Sequence, residues 1–177
     1  MQWAAIVIAL AALVFTLFSF WWMHWRVGHI IVAGPSSYAA TTQADALILL
    51  FPLVFFNTGP VPYVVRNLRV RFKDEPNGAP LTFQRIRSGV SPSHVELLDL
   101  ASGFPIPGNQ TVKLFCEFGR KPTGRTITAG AYGLVLEALT DKVQGWTPLS
   151  EFILHIDTET ADMMRSNFVA FENQLNE

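Results

Sequence analysis

The sequence predicts a mainly-β protein. An N-terminal transmembrane helix at 1–26 leads into one antiparallel β-sandwich at 27–177, with a short helix near the C-terminus. Three observations carry this. No charged side chain precedes Arg26 in the 177 residues. Beyond it, short apolar or alternating runs are separated by Gly, Pro and Asn turn signals. No long stretch with helical hydrophobic period follows the first segment, so the strands have one another to pack on.

The first segment, Trp3 to Trp22, reads WAAIVIALAALVFTLFSFWW. Twenty helical residues rise about 30 Å, the thickness of a bilayer's hydrocarbon core. Ten of the twenty are Ile, Val, Leu or Phe. Each favours insertion by about 0.3–0.6 kcal/mol, with no charge opposing them. Trp3 at one end and Trp21, Trp22 and Trp25 at the other, followed by Arg26, are expected membrane-interface anchors, because indole joins an apolar body to a polar N–H. A cleaved signal peptide would carry a basic start, a shorter core and small residues at the cleavage site; here Gln2 and Trp3 open the chain and bulky aromatics close the segment. A retained anchor is the expectation. Ala5, Ala9, Ala12, Thr16 and Ser19 follow a 4-3-4-3 spacing that puts them on one face, a smooth stripe suited to another helix. Arg26 tilts the orientation toward a cytoplasmic domain, and one arginine leaves the opposite side open.

The strands follow in order. His29–Val32 reads as a first strand, broken by Gly34-Pro35, with 35–45 as loop. Residues 47–56 form a continuous apolar run ending in Asn57-Thr58-Gly59-Pro60, a strand buried on both faces closed by a turn. Pro52 within it implies a bulge or an edge position. In Val61–Phe72 the residues Val64, Leu68, Val70 and Phe72 alternate with Val65, Asn67, Arg69 and Arg71. Asp74–Gly78 is a turn carrying Asn-Gly, and 81–87 returns. Further strands are expected at 94–99, 111–118, 130–139 and 151–156. Val112, Leu114, Cys116 and Phe118 would share one face, as would Tyr132, Leu134, Leu136 and Ala138. Asp157-Thr158 is placed to cap a short helix through Arg165, and 168–171 reads as a last strand.

The segments Phe51–Gly59 and Val64–Phe72, with the late Trp146, Leu149, Phe152 and Leu154, resemble uncharacterised bacterial single-pass membrane proteins with an immunoglobulin-like β-sandwich domain. The resemblance implies an immunoglobulin-like fold and a bacterial cytoplasmic membrane. Its motifs are structural, so it implies no site residue.

Composition narrows the function. Thirteen basic against fourteen acidic residues argue against a general nucleic-acid binder. The single cysteine excludes an intramolecular disulfide framework. Its alternation with core positions points to a buried, inert thiol. The four histidines, His24, His29, His94 and His155, fall in no metal-ligand spacing, and no catalytic or phosphate-binding motif occurs. The expectation is therefore no enzyme, no cofactor and no metal. Arg66, Arg69, Arg71, Arg85 and Arg87, with Lys73, form a basic stretch across a hairpin. It is either the solvated face of two strands or a contact for lipid headgroups or an acidic partner. The leading functional expectation is a non-catalytic accessory subunit, its helix packed among other transmembrane subunits and its domain on the extrinsic face of the assembly. The alternative is a membrane-tethered module that binds a ligand or lipid.

Overall fold

A computed structural model describes residues 2–42, 45–75, 77–90, 97–122 and 126–173. Helix α1 spans Gln2–His24, unbroken by Gly or Pro and exposed over nearly its whole surface. It is long and apolar enough to cross a membrane. The strands that follow are β1 Ile30–Ala33, β2 Ser37–Thr41, β3 Leu47–Asn57, β4 Tyr63–Phe72, β5 Leu81–Arg87, β6 Leu97–Leu100, β7 Phe104–Ile106, β8 Thr111–Arg120, β9 Gly130–Thr140 and β10 Trp146–Ile156. Helix α2 covers Thr158–Ser166 and strand β11 Val169–Glu172. Every pairing is antiparallel.

Among the described residues the strands form one hydrogen-bonded sheet, ordered β10-β9-β4-β5-β8-β3-β2-β11, with β1 added to β3, β6 to β5 and β7 to β4. The sheet curls until its ends meet. The Phe51 ring on β3 stands edge-on to Phe152 on β10 at 5.3 Å. The Tyr38 hydroxyl on β2 donates to the His155 carbonyl on β10 at 2.9 Å. Burial pushes the Tyr38 phenol up to about 12, with the charge of Asp157 adding to the effect, so it remains a donor. Asn173, just past β11, completes the closure. Its amide accepts from the His155 N–H at 3.1 Å and donates to the carbonyls of Ile153 at 2.9 Å and Pro35 at 3.2 Å. One side chain thus stands in for a backbone ladder between the two ends of the sheet.

The interior is lined by Leu49, Phe51, Leu53 and Phe55 of β3, Leu68, Val70 and Phe72 of β4, Cys116 and Phe118 of β8, Leu134, Leu136 and Ala138 of β9, and Phe152, Leu154 and Ile156 of β10. Each fully buried side chain of this size contributes about 1.5–3 kcal/mol, so the core outweighs any surface ion pair. Helix α2 closes the end remote from α1, with Ala161 and Met164 in the core. Its first turn is capped by Asp157, which accepts from the Thr160 N–H at 2.6 Å. That bond holds the Asp157 carboxyl below the usual carboxylate range.

Several expectations change. The turn signals predict a loop over 35–45, yet this stretch contains β2, because Ser-Tyr-Ala-Ala-Thr is held by pairing with β3 on one side and β11 on the other. Strand β7 was missed, being three residues long and sustained by β4. Strand β10 starts at Trp146, not 151. A bulge between Val65 and Asn67 shifts the face of β4, so Val65 is core and Val64 points outward, against the strict alternation expected. Of the two readings of Pro52, a bulge or an edge position, the edge position holds. Pro52 sits between the last β2 partner, Leu50, and the first β1 partner, Val54, where no strand pairs that edge. Residues 94–96 and His94 lie outside the described residues, as does Pro76 of the expected 74–78 turn.

Replacing Asn173 by Ala would leave two carbonyls and an N–H without their partners. At about 1–3 kcal/mol per orphaned buried group, the expected result is a fall of at least 2 kcal/mol in unfolding free energy. It is measured as a lower urea midpoint with an unchanged slope on the full chain in detergent.

Candidate functional site

The most built-up feature outside the core is the junction between α1 and the sheet. Three segments distant in sequence meet there: the linker 25–29, the β3–β4 turn 57–62 and the β7–β8 loop 107–110. The linker is too short to wander. Trp25 and Arg26 still bond to the Trp21 carbonyl at the helix end, at 2.9 and 3.1 Å, and β1 begins at Ile30.

Two glycines bring the linker against the turn. A Cβ on Gly28 would lie 2.0 Å from the Gly59 nitrogen, and one on Gly59 would lie 2.2 Å from the Gly28 nitrogen. Only residues without a side chain allow two backbones to pack this closely. Polar bonds then fix the alignment. Arg26 donates through Nη2 to the Thr58 carbonyl at 2.8 Å. The His29 and Thr58 backbones and the Thr58 hydroxyl exchange bonds of 2.9–3.2 Å. Tyr63 donates its hydroxyl to the Gly28 carbonyl. Burial pushes the Tyr63 phenol up, with Lys142 and Asp141 acting in opposite senses after it, so it keeps its proton.

Asn57 organises the turn from beneath. It is fully buried. Its side-chain oxygen accepts from the Gly59 N–H at 3.0 Å, and its Nδ2 donates to the Val61 carbonyl at 2.9 Å and more weakly to Ile106 and Pro107 at 3.4 and 3.3 Å. The third segment is drawn in by the Asn109 N–H, which donates to the Gly59 carbonyl at 2.9 Å. Beside the junction lies a groove of about 190 Å³ between β1 and β10, lined by His29, Tyr63, Thr140, Val143, Thr147 and Leu149 among others. The arrangement's polar groups are largely spent on one another. Its chemistry is that of a joint.

The residues singled out from sequence are distributed as follows. Ala5, Ala9, Ala12 and Thr16 are exposed on α1 and Ser19 is half-exposed. The Thr16 hydroxyl bonds back to the Ala12 carbonyl at 2.8 Å. Trp3, Trp21, Trp22 and Trp25 are exposed. Arg26 alone of the interface set enters the junction, with its guanidinium 4.4 Å from the Trp22 ring centre. Of the basic stretch, Arg69, Lys73, Arg85 and Arg87 face acidic side chains. Arg69 pairs with its cross-strand partner Glu137 and lies 4.3 Å from the Trp146 ring centre. Arg87 pairs with the buried Glu117, which Arg85 also approaches at 3.8 Å. Lys73 pairs with Glu151. Arg66 and Arg71 have no acidic partner among the described residues. Cys116 is buried and its thiol is pushed up to about 12 by burial. Among the described residues no group of three or more His, Cys, Asp or Glu could hold a metal ion.

Sequence reasoning missed Gly28, Asn57, Gly59 and Tyr63 as a unit. The Asn-Thr-Gly-Pro run was legible as a turn, but the glycine it packs against lies thirty-one residues earlier.

No protein-family model and no curated protein matches the chain. Two solved structures are similar in part. A Bacillus subtilis protein described as a lipoprotein shows 12% identity and a TM-score of 0.40, over 75% of this chain and 37% of that one. A family 123 glycoside hydrolase from Clostridium perfringens shows 12% identity and a TM-score of 0.33, over 73% of this chain and 27% of the hydrolase. The chain thus spans little more than a third of the first structure and about a quarter of the second, and likenesses at this level carry no argument about function.

Two substitutions test the junction. Gly59→Val should force the linker off the turn, so that trypsin cleaves after Arg26 many-fold faster than in the wild type. Gly89→Ala, which would add a Cβ in open space, should leave the rate unchanged. Arg87→Ala should cost about 3–5 kcal/mol by stranding the buried Glu117 carboxylate, whereas Arg66→Ala should stay within about 0.5 kcal/mol. Chemical denaturation of both variants distinguishes a structural arginine from a surface one.

Proposed function

We propose that this protein is a non-catalytic accessory subunit of a bacterial cytoplasmic-membrane assembly. In this reading α1 is retained as a single-pass anchor and the sheet domain is held against the membrane surface, available to dock on the extrinsic face of partner subunits. The observation that carries it is the junction. Arg26, Gly28 and His29 are built into the end of the sheet, so the helix continues directly into the fold with no free segment between them. A leader destined for removal has no use for such a joint. The helix is also bare along its length, which in water would expose its whole apolar surface and in a bilayer would not.

The immunoglobulin-like character of the domain belongs to the same proposal. It is supported by the opposition of β3 and β10 across a single core. The stripe Ala5, Ala9, Ala12, Thr16 and Ser19 is the face proposed to meet neighbouring helices, since small side chains let helices approach closely in lipid. Arg26, the first basic residue after the helix, favours a cytoplasmic domain.

Full-length protein expressed in bacterial cells should stay in the membrane pellet through an alkaline carbonate wash, with its N-terminal segment intact by mass. Ala9→Leu with Ala12→Leu should shrink the particle recovered in mild detergent without releasing the chain from the membrane. A water-soluble chain beginning beyond Arg26 would end the anchor reading. An unchanged particle in the double variant would end the role of the stripe.

A further inference from the structure

Seven large hydrophobic side chains are exposed beyond Trp25 among the described residues, and five of them sit at the α1 end of the domain: Val27 at 57%, Ile31 at 47%, Phe56 at 39%, Val64 at 43% and Val143 at 50%. They come from five different elements. Val27 is in the linker, Ile31 on β1, Phe56 opposite it on β3, Val64 at the start of β4 and Val143 in the β9–β10 hairpin. The fold gathers them. Val64 and Asp141 exchange two bonds, Val64 N–H to the Asp141 carboxylate at 2.9 Å and Asp141 N–H to the Val64 carbonyl at 3.0 Å, which fixes the hairpin beside β4. His29 and Val143 line the same groove. Arg66 borders the hairpin and Lys113 stands on β8 opposite Val54, both exposed and without acidic partners among the described residues. Lys142 is on the hairpin itself, balanced by Asp141 at 3.0 Å.

We infer that this end of the domain is a seat on the bilayer itself, with the apolar collar at the level where acyl chains meet headgroups and Arg66 and Lys113 among anionic phosphates. The inference deepens the anchor reading and rests on it. The bilayer is the occupant because the collar is continuous with α1: Trp21, Trp22 and Trp25, exposed at the helix end, lead into Val27 through five residues or fewer. The five residues are contributed by elements gathered around the helix exit, where a lipid surface would lie. Apolar side chains at a surface with cations just above them are what an interfacial contact with anionic lipid requires. The clamp explains the rest. A floppy tether would let the domain tumble, whereas a joint closed by Gly28 and Gly59 presents the same end to the lipid at all times.

The test uses the full chain in vesicles of phosphatidylcholine and phosphatidylglycerol, carrying one environment-sensitive dye per molecule. Buried Cys116 leaves single introduced cysteines free for labelling. Val143→Cys and Ile31→Cys report the collar, Asn77→Cys the remote end and Leu10→Cys the helix. The expected result is blue-shifted emission and quenching by headgroup-level nitroxide lipids at 143 and 31, with neither at 77. Quenching at 10 with water-like emission at both collar positions would overturn the seat and leave the anchor standing. Water-like emission at 10 as well would remove the anchor and the seat with it. Blue-shifted collar emission that resists lipid quenching and rises with protein-to-lipid ratio would assign the collar to a second protein chain, which also overturns the seat.

Discussion

Two backbones in contact, at Gly28 and Gly59, set where the domain stands relative to the helix. The polar bonds between the linker and the turn accompany that approach. Because neither residue has a Cβ, the linker can lie on the β3–β4 turn closely enough for Arg26 to reach the Thr58 carbonyl and for Tyr63 to reach the Gly28 carbonyl. Asn57 makes the turn rigid by satisfying its groups from inside. Net contributions of single hydrogen bonds are about 0.5–1.5 kcal/mol. Several acting on one short segment are enough to suppress free rotation about the exit from the helix.

The same economy of polar groups governs the sheet. Among the described residues its two ends do not pair backbone to backbone. Tyr38 and Asn173 bridge them, each fixed by burial and by the strands it belongs to or follows. The arginines that look like a binding surface in sequence are mostly neutralised across strands. An exposed pair such as Lys73 with Glu151 contributes about 0–1 kcal/mol. Glu117 differs because it is buried, and its two arginines are there to keep a charge that could not stand alone.

The parts of the fold with strong period were legible. Alternation put Val112, Leu114, Cys116 and Phe118 on one face of β8, and Tyr132, Leu134, Leu136 and Ala138 on one face of β9, and the core holds or adjoins all eight. The Asp157 cap and the short helix were also readable, because capping is a local interaction. Strand β2 and strand β7 were not, because neither has a pattern of its own and both exist through partners remote in sequence. The β4 bulge escaped for a related reason: a single inserted residue reverses which valine is buried, and Val64 and Val65 are the same residue type.

By itself the sequence determined the apolar helix, the β character of the remainder and the faces of its longer strands. Hydrophobic period and turn chemistry act over a few residues and can be read along a line. Only the tertiary structure decided that the sheet is continuous and curled, that most of the basic stretch is paired off, and that Gly28 meets Gly59. Those outcomes depend on groups thirty to more than a hundred residues apart arriving within hydrogen-bond reach, and no local pattern encodes which distant glycine or asparagine will be the partner.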